Sequence, residues 1–111
     1  MLDKNQVNEI VNNYAYAVRQ SYNPKQIILF GSYVNGSPNT DSDIDIAVIF
    51  DKVEDNFLEQ WGRLVRLCRG ISYDIEPHML DESCNNSGFL DHIRTTGEVI
   101  YDAAMNNNLY K

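Results

Sequence analysis

The sequence predicts an α/β (α+β) domain, a small mixed sheet flanked by helices, and three observations carry that prediction. Apolar residues at three- and four-residue spacing mark two long amphipathic helices. Short runs rich in Ile, Val and Phe lie between them, with the length and composition of buried strands. Gly, Pro, Ser and Asn punctuate the changes of period. With 111 residues the chain has room for one domain rather than two. A domain of that size buries roughly two-thirds of its unfolded surface and needs no disulfide or metal staple. The expected core runs over residues 5–101, with a frayed tail at 103–111.

The elements follow in order. Val7, Ile10, Val11, Tyr14 and Val18 fall on one helical stripe. Asp3 with Gln6 reads as a capping box at its start. The helix must stop by Tyr22–Asn23, because Pro24 disfavours helical geometry in the residue before it. Residues 26–30 read as a buried strand, 31–41 as a polar connection, and 43–50 as a second strand. From Glu54 to Arg69 the helical period returns, with Phe57, Leu58, Trp61, Leu64, Val65 and Cys68 on one stripe and Gly70 as a stop. That stripe makes Trp61 a core residue. Residues 71–76 read as a third strand ended by Pro77, 89–96 as a short helix, and 98–101 as a short strand or turn. The helices are expected mainly on one face of the sheet.

Charge and cysteine usage narrow the class. Sixteen acidic against nine basic residues give a formal charge of −7, the wrong sign for wrapping duplex nucleic acid. Cys68 and Cys84 form no CxxC and join no zinc-spaced cluster, so reduced thiols are expected. The chain opens on polar residues without a signal peptide. Its longest apolar runs, near Ile27–Phe30 and Ile46–Phe50, are far too short to span a bilayer. The expected location is the cytoplasm.

The chemistry concentrates where the first strand runs into the second. Asp43 and Asp45 alternate along a strand, so both carboxylates point to one face. Like charges that close raise each other's pKa unless something compensates them, and a hard divalent cation such as Mg²⁺ does so. Gly31 lets the backbone turn sharply and come close to a ligand. Ser32 adds a small hydroxyl beside exposed N–H groups, a common way to hold phosphate. Together they describe a site for a metal-bound triphosphate. Asp74, within Ile71-Ser72-Tyr73-Asp74-Ile75-Glu76, or Glu76 on the same facing, could supply a third carboxylate.

Gly31-Ser32, ten intervening residues and Asp43-Ile44-Asp45 match the GSx10DxD signature of the polymerase-beta-like nucleotidyltransferase superfamily. The flanking Ile28-Leu29-Phe30 and Ile46 make the chain most similar to the minimal nucleotidyltransferases, small proteins paired with HEPN-domain partners as toxin–antitoxin systems. The resemblance covers residues 5–101. It implies that Gly31 and Ser32 hold the triphosphate, and that Asp43, Asp45 and Asp74 are the catalytic, metal-binding carboxylates. It also implies two Mg²⁺ ions and transfer of AMP from ATP to a hydroxyl on a partner protein. Tyr33-Val34-Asn35-Gly36 lacks the arginine that many relatives carry after Gly-Ser. Glu76 is a secondary candidate for proton abstraction.

Larger members of that superfamily append a helical acceptor domain. Here the chain ends about ten residues past its last predicted element and has no basic RNA surface, so the acceptor platform is expected on another chain, a HEPN-type partner, in a hetero-oligomer or homodimer. The rivals are a small-molecule (aminoglycoside-type) nucleotidyltransferase and a non-catalytic nucleotide-binding module that neutralises a partner by contact. Arg63, Arg66 and Arg69 read as a solvated helix face. His78 and His92 have no partner at metal spacing and read as surface or capping residues. The acids Asp51, Glu54, Asp55 and Glu59 read as a solvent-facing loop and helix start.

Overall fold

The computed structural model describes residues 2–36, 43–53, 56–84 and 88–105. The element order is α1 (Lys4–Ser21), β1 (Gln26–Phe30), α2 (Ser32–Asn35), β2 (Ile44–Phe50), α3 (Phe57–Arg69), β3 (Ile75–Asp81), α4 (Phe89–Thr96) and β4 (Glu98–Asp102), with one-turn 3-10 segments at Glu82–Cys84 and Ala103–Met105. The strands form one mixed sheet in the order β3-β2-β1-β4. β1 pairs antiparallel with β2 and β4, and β2 pairs parallel with β3 through the α3 crossover.

α1 opens on the expected capping box. Gln6 N–H donates to Asp3 Oδ1 at 2.8 Å, and Asp3 N–H donates to Gln6 Oε1 at 2.9 Å. Its stripe of Val7, Val11, Tyr14, Ala15 and Val18 is buried against one face of the sheet, formed by Ile27, Leu29, Ile44, Ile46, Val48 and Ile75, together with Leu64 and Cys68 of α3. The Tyr14 hydroxyl donates to the Leu64 carbonyl at 2.9 Å, which ties α1 to α3 inside the core. The opposite face carries α4, where Leu90 and Ile93 pack on Ile28, Ala47 and Ile49. Among the described residues, α1 and α3, with Tyr33 and Val34 of α2, pack on one face and α4 on the other, which matches the expected bias.

Two expectations are corrected and one open alternative is resolved. The third strand is not 71–76 but Ile75–Asp81, and Pro77 lies inside it. The N–H groups of Ile71 and Ser72 both donate to the Cys68 carbonyl, at 2.9 and 2.8 Å, so these residues are spent in the turn that closes α3. Pro77 is tolerated because β3 is an edge strand. Ile44 N–H donates to the Asp74 carbonyl at 2.7 Å, and in a parallel ladder alternate residues address the neighbour. Residues 74, 76 and 78 therefore face β2, and the Pro77 nitrogen faces the open edge, where no donor is needed. The 98–101 segment resolves as a strand, Glu98–Asp102, because β1 offers it a partner. The apolar stripe of α3 is buried only toward its C-terminal end. Phe57 and Leu58 are exposed and Trp61 is half-buried, because these residues line an open groove beside the edge strand β3. Glu54 and Asp55 at the expected helix start, Ser37–Ser42 in the connection and the tail from Asn106 lie outside the described residues.

A polar network fastens α4 to the sheet at the end remote from Gly31. Arg94 Nε donates to Gln26 Oε1 at 2.7 Å, and Gln26 Nε2 donates to Asp102 Oδ2 at 3.0 Å. Lys25 and Arg94 both donate to the Glu82 carboxylate. The Lys25 and Arg94 hydrogen bonds hold the Glu82 carboxyl below the usual glutamate range. A depressed folded pKa contributes stability that is complete above the unfolded value and is lost as pH falls through the folded one. The melting temperature of the parent should therefore exceed that of Glu82→Gln at neutral pH, and the gap should close as pH falls below the usual glutamate range and through the depressed folded pKa. A gap independent of pH between thermal melts would assign Glu82 no such role.

Candidate active site

The site is built by strand register. Phe30 at the end of β1 pairs with Asp45 on β2, and Asp45 pairs with Glu76 on β3. Side chains alternate along strands, so Asp45, Glu76 and His78 emerge together on the face that carries α4. His78 Nε2 lies 3.2 Å from Asp45 Oδ1 and 3.7 Å from Glu76 Oε1. One donor atom from each of the three lies within 4.8 Å of the others. The side chains of Asp45 and His78 are 23% and 29% exposed and that of Glu76 is 52% exposed, so the cluster is walled but open to a ligand. The His78 ring packs against Phe30, with centroids 4.9 Å apart, and Phe30 packs in turn on Phe89 of α4 at 6.0 Å. These contacts fix the imidazole on the sheet.

Asp43 immediately precedes β2 and is exposed, within hydrogen-bonding reach of Glu76. That neighbour, partial desolvation and the Asp45 charge push the Glu76 carboxyl above its ordinary range, with His78 pulling the other way. The hydrogen bond with the Asp43 carboxyl is the leading cause, desolvation follows, and repulsion by the Asp45 charge adds to both.

Gly31 is dictated twice over. Its φ of 84° and ψ of −152° fall where only glycine rests without strain. A Cβ there would lie 2.3 Å from Asp45 Oδ2 and 3.2 Å from Asp45 Cγ. The Asp45 carboxylate is thus seated directly against the Gly31 backbone. Ser32 opens α2, a single turn in which the Gly31 carbonyl accepts from Val34 and Asn35 N–H at 3.0 and 2.9 Å. The structure therefore sets the Gly-Ser turn and the Asp-x-Asp strand side by side.

Asp74 is placed elsewhere than expected. It is exposed, lies in the turn before β3, and its N–H donates to Ser72 Oγ at 3.1 Å. Among the described residues, Glu76 and not Asp74 joins Asp45 in the cluster. His78, read from the sequence as an isolated surface histidine, is the third member. The signal was Glu76-Pro77-His78: residues two apart in a strand share a face, but a strand ended at Pro77 hides the pair. Exposed Phe57 and Leu58, with Trp61, Pro77 and Met79, line an apolar groove of about 590 Å³ that runs up to Glu76 and His78.

The donor set fits a divalent cation. Carboxylate oxygens and one imidazole nitrogen converge from neighbouring strands; the carboxylates suit Mg²⁺ and Mn²⁺, and the imidazole suits the later first-row divalent ions. Like carboxylates held this close gain from a positive charge between them. A sheet face with a glycine turn beside paired carboxylates defines a class of phosphoryl-handling proteins. Residues 5–106 match the family described as Polymerase beta, Nucleotidyltransferase, and the chain belongs to that family.

Particular relatives narrow the comparison. The protein adenylyltransferase MntA of Thermococcus cleftensis is 34% identical over 53 residues, covering 48% of this chain and 54% of that one. The chain spans about half the length of the curated relatives it matches, 47% and 54%. A structure described as a toxin-antitoxin with AMP-PNP is 27% identical, with a TM-score of 0.60 over 83% of this chain and 73% of that one. A tri-AMPylated Shewanella oneidensis HEPN toxin in complex with MNT antitoxin matches at 24% identity and a TM-score of 0.57, over 92% of this chain and 78% of that one. This last likeness is one of fold. Among the described residues, no helix is long and apolar enough to cross a membrane.

Proposed function

We propose that this chain transfers AMP from ATP to a hydroxyl on a partner protein of the HEPN class, acting as the antitoxin of a cytoplasmic toxin–antitoxin pair. The observation that carries the reading is the juxtaposition of Asp43, Asp45 and Glu76 with the Gly31-Ser32 turn, which Asp45 touches. A relative described as a protein adenylyltransferase supports AMP transfer to protein, a structure described as a toxin-antitoxin with AMP-PNP supports the antitoxin role, and the HEPN class of the partner follows from the resemblance to the minimal nucleotidyltransferases.

Asp43, Asp45 and Glu76 would hold the metal, with two Mg²⁺ ions as the family-based complement. Bound divalent cations neutralise phosphate charge and make a hydroxyl more acidic. Gly31 and Ser32 hold the triphosphate close to the strands. The acceptor oxygen attacks the α-phosphorus, the bond from that phosphorus to the bridging oxygen breaks, and pyrophosphate leaves with the electron pair. Glu76, the most exposed member of the cluster, accepts the hydroxyl proton. The apolar groove beside Glu76 gives an uncharged acceptor side chain a dry approach. Position and charge neutralisation supply the catalysis, as in other phosphoryl-type transfers.

The test uses ATP labelled at the α-phosphate, a divalent cation and the HEPN partner. Label should appear on the partner chain. Glu76→Gln should lower transfer on the order of 10²–10³-fold, the loss typical of a group that stabilises developing charge. Asp74→Asn, an exposed change outside the cluster, should stay within about threefold of the parent. Loss in Asp74→Asn with Glu76→Gln active would return the third carboxylate to Asp74. Label on an aminoglycoside and on no protein would overturn the antitoxin reading.

A further inference from the structure

We infer that the position bounded by Asp45, Glu76 and His78 takes a first-row transition cation, such as Mn²⁺, in preference to Mg²⁺, with His78 Nε2 as a direct ligand. The inference rests on the metal site of the function proposed above and adds to it the identity of the ion and of a nitrogen ligand.

Geometry comes first. Metal–donor bonds of about 2.0–2.2 Å put neighbouring ligands of an octahedral ion about 3 Å apart. His78 Nε2 is 3.2 Å from Asp45 Oδ1 and 3.7 Å from Glu76 Oε1, so small rotations bring the three donors to that spacing. Strand register fixes all three Cα positions, and the Phe30 ring holds the imidazole from one side. The nitrogen thus already faces the point on which the carboxylates converge.

Charge comes second. Asp43, Asp45 and Glu76 bring up to three negative charges to one imidazole. A divalent cation placed among them offsets two of those charges, and the imidazole can add a nitrogen lone pair to the carboxylate oxygens.

Donor chemistry comes third. Mg²⁺ demands oxygen ligands and releases water reluctantly. Imidazole suits the later divalent ions, and Mn²⁺ accepts carboxylate and imidazole together. A site made only of carboxylates would not discriminate in this way, so His78 sets the preference.

The test adds Mn²⁺ alone to the full-length chain, follows binding by loss of the free-ion electron paramagnetic resonance signal, and examines the bound ion for electron spin-echo modulation from ¹⁴N. The parent should bind Mn²⁺ more tightly than Mg²⁺ and show nitrogen modulation. His78→Gln should lose the modulation and at least about tenfold in Mn²⁺ affinity, no less than the loss of an outer-shell partner costs, with little change for Mg²⁺. Asp45→Asn should lose the site for both ions. An Asp45-dependent Mn²⁺ site without nitrogen modulation would overturn the inference and leave the proposed function standing. So would an equal loss of Mn²⁺ and Mg²⁺ affinity in His78→Gln, the mark of a structural role. Binding indifferent to Asp45 would overturn both, whereas an intact nitrogen-ligated site with no label transfer would overturn the proposed function alone.

Discussion

Asp45→Asn is expected to abolish AMP transfer and to erase the thermal stabilisation that nucleotide and metal confer, while the unliganded protein melts no lower than the parent. Ligand that binds only the folded state stabilises it by about 2.7 kcal/mol at 100 times its dissociation constant. Each kcal/mol moves the melting temperature of a domain near 100 residues by roughly 4 °C or more. The parent with a divalent cation and a non-hydrolysable ATP analogue should therefore melt on the order of 10 °C higher. Asp45→Asn should show almost no shift, because Asp45 is the carboxylate that touches both the Gly31 turn and His78. The unliganded variant gains from the loss of one charge near Asp43 and Glu76. An asparagine oxygen can still face His78, so the 3.2 Å contact is retained in weaker form. The measurement is four melts, parent and variant with and without ligand. Equal shifts in the two proteins would detach Asp45 from the metal–nucleotide complex and take the catalytic assignment with it.

Periodicity located most of the fold. The α1 stripe and its capping box, β1, β2 and the burial of Leu64 and Cys68 all follow from spacing, because each of those elements buries a face that the sequence must make apolar. Pro77 misled because its effect depends on position in the sheet. In a central strand it would break a ladder, and on the outer side of an edge strand it breaks nothing. Sequence spacing does not reveal which strand is the edge.

The same blind spot governed the site. Gly31, Ser32, Asp43 and Asp45 lie within a short span joined by one connection, so their proximity could be read directly from the chain. The third carboxylate comes from β3, more than 25 residues further on, and its identity depends on the pairing register. Once the strand begins at Ile75, Glu76 pairs with Asp45, while Asp74, exposed in the turn before the strand, gives the ladder only its carbonyl. Moving that boundary also brings His78 onto the same face. Trp61 illustrates the converse error. Its place on an apolar stripe indicated burial, but the N-terminal end of that stripe lines an open groove beside the edge strand β3 instead of a core.

Gly31→Ala should be the most damaging single-methyl change near the site. Two separate penalties meet there. A residue with a Cβ forced into that backbone region costs about 1–3 kcal/mol, which is a fall of roughly 5–20 °C in melting temperature for a domain of this size. The new methyl also lies 2.3 Å from Asp45 Oδ2, far inside contact distance, so the carboxylate must turn away or the turn must open. Either response separates Asp45 from the Gly-Ser turn, and transfer to the partner should be lost even at temperatures where the variant is fully folded. Gly36→Ala separates the two effects. Gly36 also has a positive φ, 83°, but among the described residues a Cβ there meets nothing within 4 Å. That variant should pay the backbone penalty, melt several degrees lower, and still label the partner at a rate near the parent's when assayed well below its melting temperature. The comparison needs thermal melts and the labelled-ATP assay on both variants. If Gly31→Ala transfers AMP as well as Gly36→Ala, the seating of Asp45 against the glycine backbone is incidental to the chemistry. If Gly31→Ala alone is inactive while folded, the methyl-sized space at Gly31 is part of the site, reserved for the carboxylate that holds the metal.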